Sequence, residues 1–346
     1  MGTQQDQARL TELFRKNLEL CEVGPGQAVA VLSEGDQLAN YRQASLAAAR
    51  DLGADVADVH LPSDGAEDPA VRIANIGQNA LSKHPQAMQT CKDADMVVDH
   101  MLLLFSHEQI AMQEAGSRIL LIVEPEEILE RLFPTAEMRA RVEAGEQRLK
   151  AAESLRFTND AGTDVTYTLG DKFILTEYGF TTEPGRWDHW PGGFLATLAA
   201  EQGVNGRVVM EADDIVFPLR EFTGERIAFD ISDGMVTEIS GGARADHLRS
   251  FIEGYNDPRA YAVSHIGWGL NHHCIWRPDL PGIGMDGRAH YGNVLFSLGP
   301  DTEFGGENDT PCHLDLPMQG CSLWLDDELI VENGAVVPED MRAPAH

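Results

Sequence analysis

The chain has 346 residues, 43% of them hydrophobic, enough for one large domain or two medium ones with a real core. It carries 26 Lys+Arg against 56 Asp+Glu, a formal net charge of -30. So acidic a surface repels phosphate backbones and anionic membranes, which removes nucleic acid and membranes from the expected partners and otherwise reads as solubility.

In chain order, Leu10, Leu13, Phe14, Leu18 and Leu20 lie near helical spacing, and a short apolar run at 28–32 follows. A helix-like stretch at 41–52 leads to a strand-like segment at 55–59, and two further apolar runs, 96–98 and 119–123, each precede helical segments. Strands alternating with helices predict a parallel sheet covered on both faces. This half is Rossmann-like in architecture, yet no GxGxxG follows its first strand, so no dinucleotide is inferred. A charged, Ala-rich stretch at 135–155 predicts a long helix joining the halves. Strand candidates then fall at 165–169, 207–211, 226–231 and 235–239, punctuated by Gly and Asp turns. The expected organisation is an α/β Rossmann-like parallel-sheet domain over 1–155. A β-rich (α+β) domain over 156–346 is expected to carry the metal site.

Five cysteines (Cys21, Cys91, Cys274, Cys312 and Cys321) are an odd number without CxxC spacing. Neither a zinc ribbon nor a disulfide framework is indicated, and a reducing compartment fits best. The N-terminus lacks a signal-peptide pattern, and no apolar run approaches the roughly 20 residues of a membrane helix. A soluble, cytoplasmic protein is expected.

The chemistry-bearing residues cluster late in the chain. His313 and Asp315 flank Leu314 in a segment bounded by Pro311 and Pro317, and an extended chain projects residues i and i+2 on one face. His265, in Ser264-His265-Ile266-Gly267-Trp268-Gly269, adds a second imidazole where glycines permit close backbone approach. Two imidazoles and one carboxylate are the minimal ligand set of a mononuclear non-haem iron(II) site with open positions. The same residues also suit a hydrolytic metal site, or no metal at all.

A second constellation runs through Glu177-Tyr178-Gly179 and Gly185-Arg186-Trp187-Asp188-His189-Trp190-Pro191. It reads as an ordered loop in which aromatic rings exclude water while Glu177 or His189 exchanges protons, since burial raises a carboxyl pKa and lowers that of an imidazole. The competing reading is a structural loop pinned by Trp187 and Trp190, with Arg186 paired to Asp188. His107 follows an apolar run and is placed at the carboxyl end of a parallel strand, where open sheets bind ligands; Ser106 before it is equally a helix cap. His272, His273 and His290 are alternative ligands that read more simply as surface histidines.

These segments, with Glu183-Pro184, Leu270, Tyr291-Gly292-Asn293, the run from Thr310 to Asp315, and Ile122-Val123-Glu124-Pro125, resemble those of the 2,5-dihydroxypyridine 5,6-dioxygenase family over nearly the whole chain. The resemblance implies an Fe(II) enzyme that uses O2 to open a hydroxylated pyridine between C5 and C6, giving N-formylmaleamate in nicotinate and nicotine degradation. It implies His265, His313 and Asp315 as iron ligands, Glu177 and His189 as an acid–base pair, His107 and Ser297 as substrate contacts, and a homo-oligomer. The chain departs from the family pattern between Leu270 and Asp286 and is shifted near Ser106-His107, which bears on which hydroxypyridine it takes.

Two other classes remain open. A leucyl-aminopeptidase-like metallopeptidase also carries a late His-X-Asp, but needs two metals and bridging carboxylates. A non-catalytic scaffold with a degenerate site would have no use for an intact triad.

Overall fold

A computed structural model of the chain describes residues 4–344 apart from 37, 64–80, 105 and 172. The chain is a mixed α/β protein. It forms two compact units, one made of Met1–Pro134 with Glu177–Gly192, the other of Thr135–Thr176 with Gly193–His346.

The first unit is built on a five-stranded sheet in the spatial order Asp55–Leu61, Ala28–Glu34, Met96–Asp99, Arg118–Leu121, Trp187–His189. Every pairing in it is parallel, as the alternating pattern predicts. The Met96–Asp99 and Arg118–Leu121 strands are buried at all positions, which is why they read as continuous apolar runs. Helices Gln4–Leu20, Ala39–Asp51, Pro85–Asp93, His107–Glu114 and Glu126–Arg131 accompany the sheet.

One expectation is corrected here. The segment read as an ordered loop contains a strand, Trp187–His189, pairing Ile119 with Trp187 and Leu121 with His189. The Arg118–Leu121 strand would otherwise leave its outer amides and carbonyls buried without partners. The Ile119 amide donates to the Arg186 carbonyl and the Trp190 amide to that of Leu121. Partner demand, rather than apolar periodicity, makes this strand.

The second unit opens with the helix Ala136–Ala151, capped by the Thr135 hydroxyl, which accepts from the Met138 amide at 3.1 Å. An eight-stranded antiparallel sheet contains all four strands expected between 165 and 239. A smaller five-stranded sheet runs in the order Leu314–Met318, Val294–Leu298, Val263–Gly269, Phe194–Thr197, Ile174–Glu177. The helix lies against this smaller sheet at Gly145, where an added Cβ would stand 2.9 Å from Leu195 and 3.4 Å from Trp268. Trp268 and His265 are three residues apart on a strand, so they leave the sheet on opposite faces. Among the described residues, no helix is long and apolar enough to cross a membrane.

Candidate metal centre

Three neighbouring strands of the smaller sheet build the site. Ser297 on the Val294–Leu298 strand pairs directly with Asp315, so both side chains leave the same face. His313 immediately precedes the Leu314–Met318 strand and, two residues from Asp315, shares that face. On the other side, the pairing register shifts between Val263 and Ile266, an irregularity that brackets His265. Such bulges re-aim a side chain, and here they serve the imidazole.

The three side chains converge. Their ligand atoms all lie within 4.8 Å of one another, and all three residues are buried. Asp315 Oδ1 stands 3.2 Å from His265 Nε2 and 3.1 Å from His313 Nε2. Neither contact has hydrogen-bond geometry, leaving Oδ1 buried without a hydrogen-bond donor. A cation held by bonds of about 2.1 Å at right angles sets its ligand atoms about 3 Å apart, which is the spacing seen. The residues therefore fit a metal ion.

Their protonation fits as well. Burial pushes the His265 imidazole below its ordinary pKa, favouring the neutral ring that ligates. Burial opposes charge on Asp315, but the neighbouring His313, Arg288 and His265 side chains outweigh it and hold the carboxyl well below the usual range. The His265 ring stacks on Phe304, with centroids 5.0 Å apart, and on His313 at 5.5 Å. Its Nδ1 is 3.4 Å from the Ser264 hydroxyl, which itself donates to the Pro300 carbonyl.

Arg288 escapes a reading of the sequence alone. It is buried, and its Nε lies 2.5 Å from Asp315 Oδ2. The hint in the sequence is the glycine density around it, Gly284 and Gly287, which marks close packing rather than charge. Ser297 donates its hydroxyl to the Leu314 carbonyl at 3.0 Å, bracing the strand that carries Asp315.

Glu177, His189 and His107 belong to the first unit. Glu177 and His189 are buried, and the Trp187 and His189 rings lie 6.3 Å apart. Arg186 does pair with Asp188, at 2.8 Å. His107 is exposed at the first turn of its helix, where Ser106 caps by accepting from the Gln109 amide. In the second unit, His273 is exposed and His272 and His290 are half-buried, and none of them joins the triad.

A family model described as 2,5-dihydroxypyridine 5,6-dioxygenase matches residues 9–338. The chain belongs to the 2,5-dihydroxypyridine 5,6-dioxygenase family. It is an enzyme of that family, 43% identical over 346 residues to the 2,5-dihydroxypyridine 5,6-dioxygenase of Pseudomonas putida KT2440, covering 97% of this chain and 98% of that one. The solved structure of 2,5-dihydroxypyridine dioxygenase from the same strain matches with a TM-score of 0.93 at 43% identity, over 97% of this chain and 99% of the other. Wild-type AmpT from Thermus thermophilus shares the fold at 14% identity, with a TM-score of 0.66 over 95% of this chain and 99% of that one.

Between Leu270 and Asp286 the chain folds back on itself. The Asp286 carboxylate accepts the Ile275 amide at 2.7 Å, Trp276 donates to the Asp213 carbonyl at 2.8 Å, and the Trp276 and His290 rings meet edge to face.

Proposed function

We propose that this enzyme opens the ring of 2,5-dihydroxypyridine, or a close analogue, with O2 between C5 and C6 to give N-formylmaleamate, using Fe(II) held by His265, His313 and Asp315. The observation that carries the reading is the buried convergence of two imidazoles on one carboxylate oxygen in a chain of this family. Iron(II) in such a set supplies open coordination positions for a hydroxylated ring and O2 together, and an electron for O2.

The chain's own residues do the rest. Burial of the triad and the Phe304 ring stacked on His265 keep bulk water from the ligand atoms. We assign Glu177 and His189 as the acid–base pair, taking the proton of the ring hydroxyl and returning one to the product, a contribution of about 10²–10⁴ in rate. Their burial and the family resemblance support that assignment. Ser297, facing Asp315 across the strands, and His107 are assigned as substrate contacts. We place the enzyme in nicotinate- or nicotine-type pyridine catabolism. Its five free cysteines fit a reducing cytoplasm. A homo-oligomeric state rests on the resemblance alone.

A metallopeptidase of the leucyl-aminopeptidase kind needs two metals bridged by further carboxylates. Among the described residues, the converging group is His265, His313 and Asp315, with a single carboxylate. The deciding experiment is a panel of hydroxylated pyridines under air with added Fe(II), following O2 uptake and loss of ring absorbance. Consumption of 2,5-dihydroxypyridine by the wild type, with none in Asp315→Ala, is expected. Paired zinc with release of amino acids from peptides would overturn the assignment.

A further inference from the structure

The two oxygens of Asp315 have different surroundings. Oδ1 faces both imidazoles, whereas Oδ2 lies 2.5 Å from Arg288 Nε. The guanidinium is itself held. Its Nη1 donates to the Ile283 carbonyl, and its Cζ lies 4.4 Å from the centre of the Phe217 ring. Phe217 also pairs with Asp315 through the backbone, its amide donating to the Asp315 carbonyl at 2.9 Å. One residue thus stacks on the guanidinium and pairs with the chain that carries the carboxylate.

Backbone contacts lock the cradle further. Gly284 adopts φ +98°, and a Cβ there would stand 2.5 Å from the Phe217 ring and 3.0 Å from Arg288 Nη1. Asn293 donates to the carbonyls of Gly287 and Arg288 at 2.7 and 3.0 Å, while its side-chain oxygen accepts the Gly269 amide at 2.7 Å. Gly269 ends the strand that bears His265. Arg288 is therefore tied to both strands that present the ligand set. A buried guanidinium in such a frame has few rotamers, so its Nε–H meets Oδ2 from one fixed direction.

We infer that Arg288 is a positioning residue that occupies Oδ2 of Asp315, so that this carboxylate offers the metal one oxygen only. The inference rests on the triad being the metal site. A carboxylate confined to one oxygen leaves three positions of a six-coordinate ion open; a two-oxygen grip would leave two. Substrate chelation and O2 together need three, so Arg288 preserves the third.

The test counts exchangeable water on Mn(II), used as a probe in the full-length protein, by water-proton relaxation. Wild type is expected to show three waters per bound Mn(II). Arg288→Met, which keeps the apolar stem and frees Oδ2, is expected to bind Mn(II) with relaxation reduced to about two-thirds. Arg288→Lys is expected to fall between them, keeping the charge without the guanidinium. Two waters in the wild type, or an unchanged count in Arg288→Met, would overturn the inference, and the wild-type count decides even where Arg288→Met does not fold. Failure of the underlying site reading looks different: Mn(II) binding would then survive His313→Ala.

Discussion

Asp188 and Gly179 are joined by a buried hydrogen bond of 2.8 Å from the Gly179 amide to Oδ1. The same carboxylate accepts the amides of Tyr178 at 3.1 Å and His189 at 2.8 Å, and pairs with Arg186 at 2.8 Å. Arg186 lies over the Tyr178 ring, 4.2 Å from its centre. One side chain therefore fixes the backbone next to Glu177 and at His189, the proposed acid–base pair. Asp188→Asn leaves the Arg186 guanidinium without its counter-charge and returns an amide group where acceptors are needed. The expected loss is roughly 2–4 kcal/mol, read as a lower urea midpoint with the slope unchanged, together with lower turnover. A wild-type midpoint would show that the network does not hold this turn.

Gly267 tests the strand that presents His265. A Cβ at this position would stand 2.3 Å from the Leu195 carbonyl oxygen and 2.6 Å from the Phe194 ring. The strands must part to admit it, and His265 is two residues away on the same face. Gly267→Ala is expected to cost roughly 1–3 kcal/mol and to weaken metal binding. Thermal unfolding and metal content after reconstitution check both, and full metal content at wild-type stability would contradict the packing described.

Much of this was legible in the sequence because local chemistry and tertiary role agree. The parallel strands stand out as apolar runs because both faces of the sheet are covered, as at Val97 and Val98. His313 and Asp315 are readable as a pair because an extended chain puts i and i+2 together, and the structure brings His265 to them. The parts that were not legible depend on neighbours distant in sequence. Trp187–His189 becomes a strand because Arg118–Leu121 needs a partner. Arg288 and Phe304 reach the site from the short helices Met285–Arg288 and Thr302–Phe304, too brief for any periodicity to show, and Ser297 faces Asp315 through register alone.

His100 carries a pH signature. It is buried, with Nδ1 2.8 Å from the Ile122 carbonyl and Nε2 2.9 Å from the Ser45 hydroxyl. Burial pushes its pKa down to about 4, against about 6.5 for an unfolded histidine. Between those values the unfolded chain binds a proton that the folded one refuses. The contribution is complete above about pH 6.5 and is lost as pH falls towards 4, at about 1.4 kcal/mol per unit and roughly 3 kcal/mol in all. In His100→Gln the urea midpoint is expected to fall less between about pH 7 and about pH 4.5 than in the wild type. Equal falls in the two proteins would contradict this.

The central claim is that His265, His313 and Asp315 together hold one metal ion. Anaerobic titration of the metal-free protein with Fe(II), counting bound iron per chain in the wild type and in Asp315→Ala, tests it most directly. About one iron per chain in the wild type and none held by the variant is the predicted result. Two irons per chain, or one retained without the Asp315 carboxylate, would contradict it.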